Sequence, residues 1–319
     1  MRVLVLGGTV FVGRTIVEEL LRSGVDVTIF GRGRTGNELF PEVPRLLGDR
    51  DVDDYASLRG GEWDAVIDAS GYVPRHVAGA MDALDGRVGR YVFLSSHAVY
   101  QRSDVAEGLA EATPLRPERR DTEDLDEDTY GPLKVACEND IRDRFGDRAT
   151  IVRATKVAGP HDPSGSVLYW VRRGARGGRV ALPGDPSQPL ALVDARDLAV
   201  VVREVVARGW GGAVDASGPH PAATLGEFIT TCASAAGSTM DIVTVDPGLG
   251  GPMFPLVRAP SVWPVLRGRG ALARSLGMPS TPLSHTVSDI AEWDAGRGAP
   301  PIDVGFDVEE ERRLLESGE

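Results

Sequence analysis

Lysine is nearly missing from this 319-residue chain: of its 35 basic residues 33 are arginine, and only Lys134 and Lys156 remain. A GC-rich genome accounts for the arginines but not for where the two lysines fall, so each lysine calls for a reason. Cysteine is as scarce. Cys137 and Cys232 have no C-x-x-C spacing and the five histidines are scattered, which excludes a disulfide framework and gives no zinc-binding pattern. No apolar run approaches the ~20 residues of a membrane span. Met1 to Gly8 leads straight into a strand without a signal peptide or cleavage site, so the expected compartment is the cytoplasm. Positive charge is in deficit: 47 acids against 35 bases give a formal charge of −12, which sets the surface against phosphodiester backbones and anionic membranes. What is present is enough for a globular core, with 42% hydrophobic residues, 39 glycines and 22 prolines.

Val3 to Leu6 is a short continuous apolar run. A glycine-rich turn follows, and then Ile16, Val17, Leu20 and Leu21 recur at helical spacing up to Arg22. Gly24 closes that helix and residues 25–30 form the next strand, so the first 30 residues read as one βαβ unit. Further strands are expected at 45–49, 65–68, 90–95, 150–153, 190–193 and 212–216, with helices at 133–144 and 197–207. This alternation predicts an α/β fold, a Rossmann-type doubly wound parallel sheet covered on both faces. The dinucleotide-binding domain is expected over 1–159, with 188–218 returning to it. A smaller interleaved substrate-binding region is expected over 160–187 and 219–319, where helices are read at 284–293 and 308–315.

The turn Gly7-Gly8-Thr9-Val10-Phe11-Val12-Gly13 lies between strand and helix, the context in which backbone N–H groups approach a pyrophosphate at a helix N-terminus. Gly7, Thr9, Val10, Phe11, Val12 and Gly13 are therefore candidate cofactor contacts. After the second strand come Arg32 and Arg34 where an acid would accept bonds from ribose hydroxyls, so the expected cofactor is NADP, with NAD possible. The alternative makes these two arginines solvated surface residues. Asp49 is placed for the adenine edge. Arg50 and the Ala69-Ser70-Gly71 turn after the fourth strand complete the cofactor set.

Tyr130 and Lys134 stand four apart at the start of a helical segment and so share a face. With six tyrosines and two lysines in the chain, chance gives such a pair in about one sequence in 25. An ammonium beside a phenol favours phenolate, which is expected to bring Tyr130 down toward neutrality for proton exchange with an alcohol or carbonyl. Lys134 can also hold the nicotinamide ribose. Ser95 and Ser96 end the fifth strand, and one of them could bond the substrate oxygen. Lys156, just past the sixth strand, is a candidate substrate contact, with the alternative that its stem packs on the loop before Gly159.

These motifs resemble the extended short-chain dehydrogenase/reductase superfamily, in its NAD-dependent epimerase/dehydratase-like branch. The resemblance runs over most of residues 1 to about 230. It rests on the glycine turn, Ser95-Ser96-x-x-Val99-Tyr100, Tyr130-x-x-x-Lys134-x-x-x-Glu138, Arg153 followed by Gly159-Pro160, and Val193-Asp194 before a helix. It implies Ser96, Tyr130 and Lys134 as the catalytic triad, with His97 and Lys156 toward the substrate. The chain departs from the family pattern at Val10, which replaces a glycine, and at His97-Ala98, which replaces the Asp-Glu pair of the sugar dehydratases. Lys156 and Gln188 stand where residues that grip nucleotide sugars are common. Ser96 and Tyr130 are also 34 apart, and the interval includes residues 121–129, with six acids in nine positions that read as a solvated loop or as an acidic lid.

The expected function is an NADP-dependent oxidoreductase acting on a carbonyl or secondary alcohol of a small polar metabolite. An epimerase with retained NAD(P) and a non-catalytic cofactor-sensing or RNA-binding relative are the alternatives. The expected partner is a small-molecule substrate, with no nucleic acid and no membrane, and the protein is expected to act as a monomer or homodimer.

Overall fold

The computed structural model describes residues 1–101, 111, 113–251, 254–267 and 270–317. Along the chain run β1 (Arg2–Leu6), α1 (Phe11–Arg22), β2 (Asp26–Gly31), β3 (Arg45–Leu47), β4 (Trp63–Asp68), α2 (Pro74–Ala83), β5 (Val88–Ser96), α3 (Tyr130–Phe145) and β6 (Ala149–Ala154). Then come β7 (Lys156–Ala158), α4 (Ser166–Arg176), β8 (Gly178–Leu182), β9 (Leu192–Asp194), α5 (Ala195–Ala207), β10 (Gly212–Ala216), α6 (Leu225–Ala235) and β11 (Met240–Thr244). The remaining helices are α7 (Trp263–Leu266), α8 (Ala271–Ser275), α9 (Leu283–Gly296) and α10 (Val308–Ser317). No helix among the described residues is long and apolar enough to cross a membrane.

Seven strands form one parallel sheet in the order β10-β6-β5-β4-β1-β2-β3. The continuous apolar strands follow from burial on both faces. Val3 and Val5 point into a cluster with Ile16, Val17 and Leu20 of α1, whereas Leu4 and Leu6 pack with Val77 and Met81 of α2 and with Cys137 and Ile141 of α3. The chain winds outward from β1 to β3 and re-enters beside β1 at β4, so the order reverses between β1 and β4. At that switch point the loops diverge and open a crevice at the carboxyl edge.

The strand expected at 190–193 lies at 192–194 and does not enter the main sheet. It pairs with β7 in a two-stranded ribbon, Lys156 opposite Leu192, while β10 joins the main sheet beside β6. A separate core gathers Trp170, Phe228, Ile229, Phe254, Ile290 and Phe306 around the parallel pair β8 and β11. The last helix is tied down through Glu311, buried against Arg173 at 2.8 Å and reached by Arg176 at 3.2 Å.

Candidate functional site

A cleft of about 530 Å³ runs along the carboxyl edge across the switch point. Its middle is the glycine turn. Gly7 has φ +88°, and a Cβ there would meet the Ser70 side chain at 2.7 Å. A Cβ on Gly13 would lie 1.9 Å from the Gly7 carbonyl oxygen, so only glycine lets α1 approach β1 this closely. Val10 caps α1 with an extended backbone, φ −126°, which is why a valine fits where the family pattern has glycine. It offers no side-chain cap and the first turn of α1 carries no acid, so the orphan N–H groups of the helix start are open to an anion.

Thr9, Val10, Phe11 and Val12 line this stretch together with Ala69 and Ser70. One end is walled by Arg32, Arg34, Asp49, Arg50 and Asp51. Arg34 pairs with Asp49 at 3.1 Å and Arg32 with Asp51 at 3.4 Å, both arginines being at least half exposed. Arg50 is different. Its guanidinium is buried and makes a two-pronged bond to Asp68 at 3.0 and 3.2 Å, and Asp68 also accepts from Tyr91 and the Ser70 N–H. Its charge is spent inside the protein, so it shapes the wall rather than offering a cation to a ligand.

The other end holds Ser96, Tyr130 and Lys134. The Ser96 hydroxyl accepts the Ala98 N–H at 3.2 Å and is hydrogen-bonded to the Tyr130 phenol. Ser95, the alternative for this role, donates to buried Glu138 at 2.6 Å. Lys134 is buried, donates to the carbonyls of Gly71 at 2.8 Å and Leu94 at 2.7 Å, and sits 4.4 Å from the Phe93 ring centre. Gly71 thus acts through its carbonyl and is not on the cleft wall; a Cβ there would strike Phe93 and Val77 at 2.8 Å. Burial pushes the Tyr130 phenol above its ordinary value, with the Ser96 bond opposing, and burial pushes the Lys134 ammonium below its own. This corrects the expected drop of the phenol toward neutrality, because the ammonium is held by two carbonyls and lies 5.9 Å from the Tyr130 ring centre.

Two expected substrate contacts lie elsewhere. His97 lines a second cavity beside the cleft. Lys156 lines neither: its ammonium pairs with Asp162 at 2.9 Å and donates to Ser164 at 2.7 Å. The expectation of a lysine reserved for substrate is corrected on that ground, since its partners come from its own loop. The sequence reading missed Tyr72, which lines the cleft with its ring centre 5.2 Å from the Lys134 ammonium; its signal was an aromatic directly after the Ala69-Ser70-Gly71 turn that follows β4. The acidic run is pinned, with Glu123 held by Arg75 at 2.7 Å, Asp121 by Arg119 at 2.7 Å and Asp126 capping the N–H groups of Asp128 and Thr129. Arg75 also donates to the Arg50 carbonyl, which ties this lead-in to Tyr130 to the cleft wall.

Behind the triad, Glu138 also accepts from Arg153, and Arg153 reaches the Tyr100 hydroxyl, which donates to Asp215. Among the described residues, no group of three or more His, Cys, Asp or Glu side chains is placed to hold a metal ion.

A parallel sheet whose order reverses beside a glycine turn is of Rossmann type, the class in which dinucleotides lie across the carboxyl edge. The model of the NAD dependent epimerase/dehydratase family matches residues 62–214. Over those residues the chain is similar to that family.

Among curated relatives it is 24% identical over 220 residues to the chloroplast stem-loop binding protein of 41 kDa b of Arabidopsis thaliana, covering 64% of this chain and 55% of that one. It is 30% identical over 184 residues to a UDP-glucose 4-epimerase of Corynebacterium glutamicum, covering 50% and 53%. The chain thus spans about half the length of the curated relatives it matches. The solved UDP-glucose 4-epimerase of Thermus thermophilus, in complex with NAD, shares the fold with a TM-score of 0.68 at 20% identity, covering 94% of this chain and all of that one.

Proposed function

We propose that the protein is an NAD(P)-dependent oxidoreductase acting on a carbonyl or secondary alcohol of a small molecule, with NADP preferred. The observation that carries this reading is a single cleft with an uncapped helix N-terminus in its middle and Ser96, Tyr130 and Lys134 at one end. The glycine turn and the start of α1 would hold a pyrophosphate, and Lys134 a ribose hydroxyl. Arg32 and Arg34 would turn from their acid partners to a 2′-phosphate. A nicotinamide dinucleotide bound there supplies hydride exchange. Ser96 would bond the substrate oxygen and Tyr130 would pass a proton to it. A phenol held protonated by burial suits the proton donor of a carbonyl reduction. Lys134, bridging two carbonyls beneath the site, holds positive charge against any phenolate that forms.

The 30% identity to a UDP-glucose 4-epimerase favours a second reading, oxidation and re-reduction of one sugar carbon with the cofactor retained. The name of the Arabidopsis relative adds stem-loop binding, against which the formal charge of −12 argues here. Stoichiometry separates the two enzymatic readings, since a reductase consumes NADPH and an epimerase does not. Tyr130→Phe should lower kcat by about 10² or more while leaving NADPH affinity unchanged, measured by turnover and by nucleotide fluorescence titration. Comparable turnover in the variant removes the proton-transfer role.

A further inference from the structure

Tyr72 is 44% exposed and is the one exposed aromatic side chain among the described residues. A single exposed ring on a surface needs no explanation, but this one lines the cleft from a fixed backbone. On one side, Gly71 has no room for a Cβ and its carbonyl accepts the Lys134 ammonium at 2.8 Å. On the other, Val73 is buried and caps α2. The ring is therefore held beside Lys134 and left open to water.

Three ring centres lie close to that ammonium, Phe93 at 4.4 Å, Tyr72 at 5.2 Å and Tyr130 at 5.9 Å. Phe93 is fully buried, whereas Tyr72 stands open to the cleft. An ammonium carries three N–H donors, and the carbonyls of Gly71 and Leu94 take two of them. The loop after β4 also follows the path a dinucleotide would take. Ala69 and Ser70 line the cleft beside the glycine turn, where the Ser70 hydroxyl donates to the Leu6 carbonyl at 3.2 Å. Tyr72 comes two residues after Ser70, a step of at most about 7 Å, and stands beside Lys134. In a nicotinamide dinucleotide the second ribose is bonded directly to the pyrophosphate, so the same short step carries the ligand from the glycine turn to the lysine.

We propose that the Tyr72 ring packs against the nicotinamide-side ribose and holds the nicotinamide half of the dinucleotide in the cleft. The contact is apolar: the ring covers the C–H face of the sugar while the sugar hydroxyls turn to Lys134, and binding takes the exposed ring out of water. The proposal rests on the reading of the cleft as a dinucleotide site.

The test uses the full chain and isothermal titration of two ligand pairs, NADPH with 2′,5′-ADP and NADH with ADP; the second member of each pair lacks the nicotinamide ribose. In Tyr72→Ala the dinucleotide that the parent binds should lose affinity about five- to tenfold, and its mononucleotide partner should change by less than about twofold. Tyr72→Phe, which keeps the ring, should bind both as the parent does. Undiminished dinucleotide affinity in Tyr72→Ala overturns the proposal. So does an equal loss for both members of a pair, which marks a disturbed loop, and so does a loss in Tyr72→Phe that matches the alanine variant, which moves the contact to the hydroxyl. A parent that binds neither dinucleotide removes the dinucleotide reading itself, and the ring contact with it. Hydride transfer is followed separately in the parent: tight NADPH binding without turnover counts against the proposed reaction and leaves the ring contact standing.

Discussion

Arg32 and Arg34 show how little residue type says about a ligand until partners are known. Each faces an acid across the cleft end, so a 2′-phosphate would exchange one anion for another and gain less than it would from an unpaired arginine. Because Arg32 is 52% exposed and its bond to Asp51 is long, Arg32→Ala should weaken NADPH by about 1.5 kcal/mol and NADH by much less, read by parallel titrations. Equal losses would leave Arg32 a surface residue. At Asp215 the decisive fact is burial, which raises its carboxyl from 3.8 to about 6. The folded state then holds that proton more tightly than the unfolded chain, and stability falls as pH rises from 3.8 to about 6. Asp215→Asn removes the titration. Its stability relative to the parent should climb by up to about 3 kcal/mol across that window and stay level above it, a trend visible in urea midpoints.

Elements place what residues cannot. Helix α1 meets β1 through Gly13, so Gly13→Ala drives a methyl into the Gly7 carbonyl oxygen and must move the helix start. The expected outcome is a loss on the order of 2–3 kcal/mol in stability together with loss of dinucleotide binding, measured by denaturation and titration of the same sample. Retained affinity would show that α1 does not form the pyrophosphate cradle. Helix α3 begins at Tyr130 itself, three residues before the expected start at 133. Its first turns are buried almost all round, between the sheet and residues 97–100, so the apolar periodicity that marks a surface helix is blurred there.

The cleft lies along the carboxyl edge of the main sheet, and ligand binding there should stabilise the whole molecule by mass action. At about 100 times its dissociation constant a dinucleotide should add about 2.7 kcal/mol, seen as a rise in Tm with NADPH that AMP does not reproduce at the same concentration. The return of β10 to the sheet and the bonds of Gln188 to the Leu256 carbonyl and the Arg258 N–H join parts of the chain far apart in sequence.

The sequence by itself determined the parallel sheet, the glycine turn and the Tyr130 and Lys134 pair, because each is a local pattern: short continuous apolar runs, a strand-to-helix turn, a spacing of four on a helix. The same locality carried Ser96, which ends β5. Tertiary structure decided the partners. It spent Arg50 on Asp68 and Lys156 on Asp162 and Ser164, reversed the expected direction at Tyr130 by burial, set β9 against β7 outside the main sheet, and brought Tyr72 to the lysine. Burial and charge pairing depend on neighbours distant in the chain, which a linear pattern does not contain.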